Sequence, residues 1–346
     1  MQTKIFKNTT EDMREAAKII ADGGLVAFPT ETVYGLGADA LNAEAVGKVY
    51  AAKGRPSDNP MIVHISAKSD LDKLAAEVTP DMRTLMDKFW PGPMTMVVKK
   101  KDIVPYVTTG GLDTVAIRMP DNFTAQKLIA ESGCPIAAPS ANLSGKPSPT
   151  TAQHVIDDMM GRIDGIIAGL DCRVGIESTV IDMTGDVPTI LRPGILTKED
   201  FAEALCRDVK LDPTLLTRPS PMDTKGEGLL QSYGTDFKPK APGMKYKHYA
   251  PKAEMIIFQG EDDQKVKVEI EKTKEARESQ GQKVKVIVYD SAKPETAAHN
   301  FFGELRAADK EAIDVILASA LAESGVGFAV MNRMFKSAGY NIVQVK

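Results

Sequence analysis

From residue 12 to about 206 the chain alternates between two hydrophobic rhythms. Apolar residues recurring about every 3.6 positions predict helices over 12–21, 42–52, 70–77, 80–89, 122–132, 151–160 and 198–206. Between them lie short β-rich runs at 25–28, 61–65, 95–99, 114–118, 136–138, 179–182 and 189–191, closed by Gly, Pro or Asn. The second helix carries its own limits, Asn42 as the N-cap and Gly54 as the stop. Alternation of this kind predicts an α/β or α+β fold. Over 207–252 the rhythm fades into a stretch rich in Pro, Gly, Lys and Tyr, read as a linker. A segment that long and irregular is often a lid or binding loop. Alternation resumes with AEMIIFQG, a charged helix over 261–280, VKVIVYD, a helix over 303–311, DVILAS and a last helix before NIVQV. The expected division is therefore 1–207, a linker over 208–252, and a small α/β domain over 253–346.

Composition narrows the class without changing this division. A length of 346 residues favours two domains, each able to bury a core. With 43% hydrophobic and 26% charged residues the chain reads as soluble and globular rather than disordered. A net charge of -4 leaves no chain-wide basic footprint, so a nucleic-acid partner needs a local patch. Cys134, Cys172 and Cys206 lie far apart without C-x-x-C spacing, which argues against a zinc site or a disulfide framework. No apolar signal core opens the chain and no apolar run nears the roughly 20 residues of a membrane span, so a cytoplasmic protein is expected.

The candidate chemistry sits at or just after predicted strands, where α/β proteins place ligand loops. No G-x-G-x-x-G follows a strand, and SANLSGKPS has Ser140 where a phosphate loop needs its first glycine. FPTETVYGLG offers Thr30, Thr32 and Tyr34 either to a small polar ligand or to local backbone. Lys53 and Arg55 in KGRPSDNP suit an oxyanion, or simply complement a helix dipole. His64 in MIVHIS reads as a packed strand residue or a site residue, and Arg118 as a carboxylate clamp or a strand-end cation. PSANLSGK adds two hydroxyls, an amide and Lys146, and farther on come Ser178, Thr179 and Arg192. The chain lacks G-x-S-x-G and H-E-x-x-H and has only four histidines. A donor-rich site poor in nucleophiles suits a reaction in which the protein positions and neutralises phosphates.

FPTETVYGLG, Lys53-x-Arg55, Ser140-Ala-Asn142, ESTV and LRPG stand in one order, and APGMKYKHYAP follows at 241–251. In this the chain closely resembles the threonylcarbamoyl-AMP synthase family in its long form, over nearly its whole length. One departure is Ala241, where the family's linker motif has a serine. The resemblance implies a YrdC-like catalytic domain built on a twisted, mostly parallel sheet with a deep positive cavity, plus a smaller Rossmann-like α/β domain. It implies condensation of L-threonine, bicarbonate and ATP to threonylcarbamoyl-AMP and pyrophosphate. Partner proteins would then transfer the threonylcarbamoyl group to tRNA, with transient tRNA contact and no membrane. It assigns threonine binding to Thr30, Thr32, Tyr34, His64, Arg118, Ala138 and Ser178, and catalysis to Lys53 and Arg55. ATP contacts fall to Lys53, Arg55, Asn59, Thr114, Ser140, Asn142, Ser148, Arg192 and Tyr233, with Lys146 a further candidate. Tyr246 and His248 would belong to a lid, and Mg²⁺ would bind through the ATP phosphates rather than through side chains. A different reading is an RNA-binding module without ATP chemistry. A relative from hydrogenase maturation would need a zinc finger that three cysteines do not supply.

Overall fold

Local signals fold as the sequence predicts. Asn42 Oδ1 accepts from the Glu44 and Ala45 amides at 3.1 Å to open the helix Ala43–Lys53, and Gly54 closes it at φ 63°. Thr9, Thr79, Asn122, Thr151 and Thr197 cap five further helices in the same way. The computed structural model describes residues 2–7, 9–217, 239–241 and 248–346. These fall into two units, 2–144 with 148–216 and 239–241, and 145–147 with 217 and 248–346.

The first unit is built on an eleven-stranded sheet. In spatial order its strands are Lys4–Phe6, Gly165–Ile167, Val26–Phe28, Gly35–Asp39, Ile136–Ala137, Ile62–His64, Thr114–Arg118, Met94–Lys99, Thr179–Asp182, Thr189–Arg192 and Lys210–Leu211. Five of its ten pairings are parallel, whereas all three in the second unit's sheet are. That smaller sheet orders Val284–Ile287, Val315–Ser319, Glu254–Gln259 and Ile342–Gln344. Fold class is thus α/β in both units, with eight of the thirteen pairings of the two sheets parallel.

Strand alternation divides the first unit's core between two faces. Val26 and Phe28 join Met13, Ile20 and Leu128, whereas Leu25 and Ala27 join Val46, Val63 and Ile117. Burying a side chain the size of Phe28 contributes about 2 to 3 kcal/mol.

Several elements differ from the sequence reading. Gly35–Asp39 is a strand where a loop was expected, because its glycines suppress the usual β signal. They are required by packing: a Cβ on Gly37 would sit 2.7 Å from Ile136 and 2.8 Å from Phe28. Lys210–Leu211 pairs with Thr189 and Ile190, so the first unit runs through 216 rather than ending at 207. The helix expected over 70–77 is a 3-10 turn followed by the single turn Leu71–Leu74. In the second unit the helix expected over 303–311 begins at Pro294, since Ala297, Phe301, Leu305 and Ala308 keep one buried stripe. Among the described residues no helix is long and apolar enough to cross a membrane.

Candidate active site

Three loops of the first unit are stitched together by backbone hydrogen bonds. The Tyr34 amide donates to Pro149 O at 2.9 Å, and the Ala141 amide donates to Tyr34 O at 2.8 Å. The Val174 and Gly175 amides donate to Glu31 O and Thr32 O at 2.8 and 3.2 Å. The Ser148 hydroxyl reaches Glu177 Oε1 at 2.5 Å. Segments 30–34, 139–144 with 148–150, and 172–178 therefore share one junction, and most of the sequence-predicted residues lie on it or beside it.

On one side stands Arg118, the last residue of its strand and 3% exposed. Its Nη1 donates to Thr32 Oγ1 at 2.9 Å, its Nε to Gly92 O at 3.3 Å, and its Nη2 lies 2.7 Å from Glu31 Oε1. Thr30 Oγ1 is 2.9 Å from Thr32 Oγ1 and donates to Val33 O, so it shapes the loop as well as facing it. His64 pairs with Arg118 in register. Its Nδ1 lies 3.1 Å from Ile62 O, and burial first, then the Arg118 charge, push the imidazole down to about 3. The ring is therefore neutral, with Nδ1–H donating to the carbonyl. Beside this group, Arg192 Nε and Nη2 donate to Ser178 O at 3.1 and 3.0 Å, and Nη2 also reaches Ser178 Oγ at 3.2 Å. Ser178 Oγ in turn lies 2.7 Å from Thr95 Oγ1.

On the other side Lys53, 3% exposed, donates to Ser140 O and Asn142 O at 2.5 Å each. Arg55 Nε and Nη2 donate to Asn59 O and Pro60 O at 3.2 and 3.0 Å. Asn59 Oδ1 is buried without a hydrogen-bond partner among the described residues. The Ala138 amide donates to Ile62 O at 2.9 Å, which sets the loop that follows it against the strand Ile62–His64. These contacts fix the position of each cation through charge-assisted hydrogen bonds to backbone carbonyls.

Other expected residues take different places. Thr114 opens the strand that Arg118 closes, about 13 Å along the sheet from it, and the parallel register with Ile62–His64 brings it level with Pro60, next to Asn59. Tyr34 is tied back by its hydroxyl, which donates to Gly169 O and accepts from Gly169 N at 3.2 Å, and burial pushes its pKa up. Lys146 and His248 belong to the second unit, where His248 lies against Tyr249 at 5.5 Å between ring centroids. Tyr233 and Tyr246 lie outside the described residues. Three site residues escaped the sequence reading: Glu31, Thr95 and Glu177. Glu31 and Glu177 stand inside PTET and ESTV, where a buried acid between hydroxyls was the available signal. Thr95 had only a polar letter in a strand to mark it.

Known proteins similar to this chain agree along its length. A family described as "Telomere recombination" matches residues 18–194, and one described as "Threonylcarbamoyl-AMP synthase, C-terminal domain" matches residues 196–339. The threonylcarbamoyl-AMP synthase of Pyrococcus abyssi is 47% identical over 343 residues, 96% of either chain. That of Bacillus subtilis is 43% identical over 347 residues, 95% of this chain and 94% of its own. A crystal structure of P. abyssi Sua5 complexed with L-threonine superposes with a TM-score of 0.88 at 44% identity, covering 100% of this chain and 99% of that one. Escherichia coli YciO, at 24% identity and a TM-score of 0.51, shares the fold over 58% of the chain.

Proposed function

Since this chain belongs to the threonylcarbamoyl-AMP synthase family, we propose that it condenses L-threonine, bicarbonate and ATP to threonylcarbamoyl-AMP and pyrophosphate, the first step of threonylcarbamoyladenosine formation in tRNA. The observation that carries this reading is the convergence of Lys53, Arg118 and Arg192, each 5% exposed or less, on loops that also present buried hydroxyls. Such a site binds anions and offers no nucleophile of its own.

In this reading the threonine carboxylate faces Arg118, with Thr30, Thr32, His64 and Ser178 around the remainder and Tyr34 and Ala138 shaping the pocket wall. The amine, once it has given up the proton of its ammonium form, attacks bicarbonate, and their condensation gives the carbamate and water. A carbamate oxygen then attacks the ATP α-phosphorus, the bond to the β-phosphate oxygen breaks, and pyrophosphate leaves. Both partners are anions, so Lys53, Arg55 and Arg192 offset their repulsion in the transition state. Asn59, Thr114, Ser140, Asn142 and Ser148 hold triphosphate, ribose or base, with Lys146 a further candidate.

The donor set is mostly N–H and O–H, with Glu31 and Glu177 its carboxylates, and the described residues hold no cluster of three or more metal-binding side chains. That set fits a divalent cation carried by the substrate's phosphates. Mg²⁺ bound there would supply charge neutralisation of the triphosphate. The carbamate is short-lived in bulk water, so a closed site favours its capture, and the product passes to transfer proteins in the cytoplasm, with tRNA contacting the chain only transiently.

The test is pyrophosphate release from ATP and bicarbonate with each amino acid in turn. Release that depends on threonine supports the assignment, and release indifferent to the amino acid overturns it. Salt-sensitive RNA binding without ATP consumption would favour the RNA-binding alternative.

A further inference from the structure

Glu31 has no part in the reading above, yet it is the charged group closest to Arg118. The two side chains are 1% and 4% exposed and lie 2.7 Å apart. The approach is short but not aligned. Neither Glu31 oxygen has a hydrogen-bond donor, and Arg118 Nη2 has no hydrogen-bond acceptor, among the described residues. The other guanidinium nitrogens are engaged by Thr32 Oγ1 and Gly92 O. Glu31 is also held in place from its backbone, because its carbonyl accepts from the Val174 amide at 2.8 Å. A buried carboxylate fixed in a pocket with both oxygens lacking donors is costly, and native proteins keep such groups where a ligand completes them.

We propose that Glu31 receives the α-ammonium group of the amino-acid substrate, so that Arg118 and Glu31 together recognise the zwitterion. This rests on the proposed function and adds to it a determinant for the amine end of threonine. Charge balance favours it. A buried guanidinium and carboxylate side by side match a ligand carrying one carboxylate and one ammonium, and the exchange leaves no net buried charge. Arg118 alone would bind any small hydroxy acid anion as readily. The ammonium brings three N–H donors to two oxygens that lack them. The neighbouring hydroxyls of Thr30, Thr32 and Ser178 are neutral, and so is His64. Glu31 is thus the anion that selects an amino acid over its deamino counterpart.

The test compares binding of L-threonine with that of (R)-3-hydroxybutyrate, the same acid without the amino group, to the full chain. We expect the unmodified protein to prefer threonine by about 30-fold or more, and Glu31→Gln to reduce that ratio below about 3-fold by weakening threonine. Glu31→Asp, which draws the carboxylate back by one methylene, should give an intermediate ratio. It carries the same test should the Gln variant fail to give a cooperative melt. An unchanged ratio in either variant overturns the proposal. So does tighter binding of both ligands in Glu31→Gln, which would make Glu31 a mere shield on Arg118. Failure of the unmodified protein to bind threonine would instead sink the functional reading on which this rests.

Discussion

Among the described residues, the first unit buries Glu31, Lys53, His64, Arg118 and Arg192 beside its hydrophobic core, whereas the second buries Ser319, Arg333 and Ser337 as its polar residues. The second unit's interior is otherwise aliphatic and aromatic, with Phe258, Phe301, Phe302, Val315 and Leu317 fully enclosed. Even Arg333 donates within its own helix, to Ala329 O at 3.3 Å. Removing charges from water is expensive, so a unit that encloses Glu31, Lys53, Arg118 and Arg192 together with Asp158, Glu177 and Asp182 does so at a cost in stability. The contrast separates a unit organised around a site from one organised around packing. Within the first unit a second contrast appears. Arg118 faces a carboxylate at 2.7 Å, whereas Lys53 donates to two carbonyl oxygens at 2.5 Å. In the proposed reading the first arrangement meets a zwitterion and the second a polyphosphate.

That division can be broken most sharply in the packed unit. Phe301→Ala should cost about 3 to 5 kcal/mol in urea unfolding, the usual range for emptying a buried aromatic position. Pyrophosphate release per folded molecule should stay within about 2-fold of the unmodified protein. A tenfold loss in folded protein would show that the second unit does more than pack.

The converse change is Lys53→Met, which keeps the apolar stem and removes the charge. Threonine-dependent pyrophosphate release should fall about 10²- to 10³-fold, the cost of one preorganised donor, while stability drops by about 1 to 2 kcal/mol. Turnover near the original rate would return Lys53 to a purely structural role.

A smaller effect separates buried charge from buried neutrality. The His64 ring in the native state titrates at about 3, against about 6.5 for an ordinary histidine. Below 6.5 the unfolded chain takes up a proton that the folded chain refuses. Stability is therefore complete above about 6.5 and declines as pH falls toward 3. Between pH 7 and pH 5 the loss from this ring is about 2 kcal/mol. Urea midpoints at the two pH values should differ less in His64→Gln by that amount, and an equal shift in both proteins would contradict the assignment.

What the sequence determined by itself is what a few neighbouring residues decide. Asn42 and Gly54 bounded a helix because a cap bonds amides two and three positions away and a left-handed stop needs no Cβ. Runs such as TVAIR read as strands and put Arg118 at a strand end, and the ordered motifs brought Lys53, Ser140, Asn142, Ser178 and Arg192 forward as candidates. The tertiary structure decided how those candidates meet. Arg118 finds Thr32 across 86 residues and Ser178 finds Thr95 across 83, and no local pattern encodes which strands lie between them. Glu31 was visible as a letter in PTET, but its burial against Arg118 follows from the order of strands in the sheet. Caps and periodicity act within a turn or two of chain. A buried charge takes its partner from whatever the sheet places beside it, and that choice is made over the whole unit.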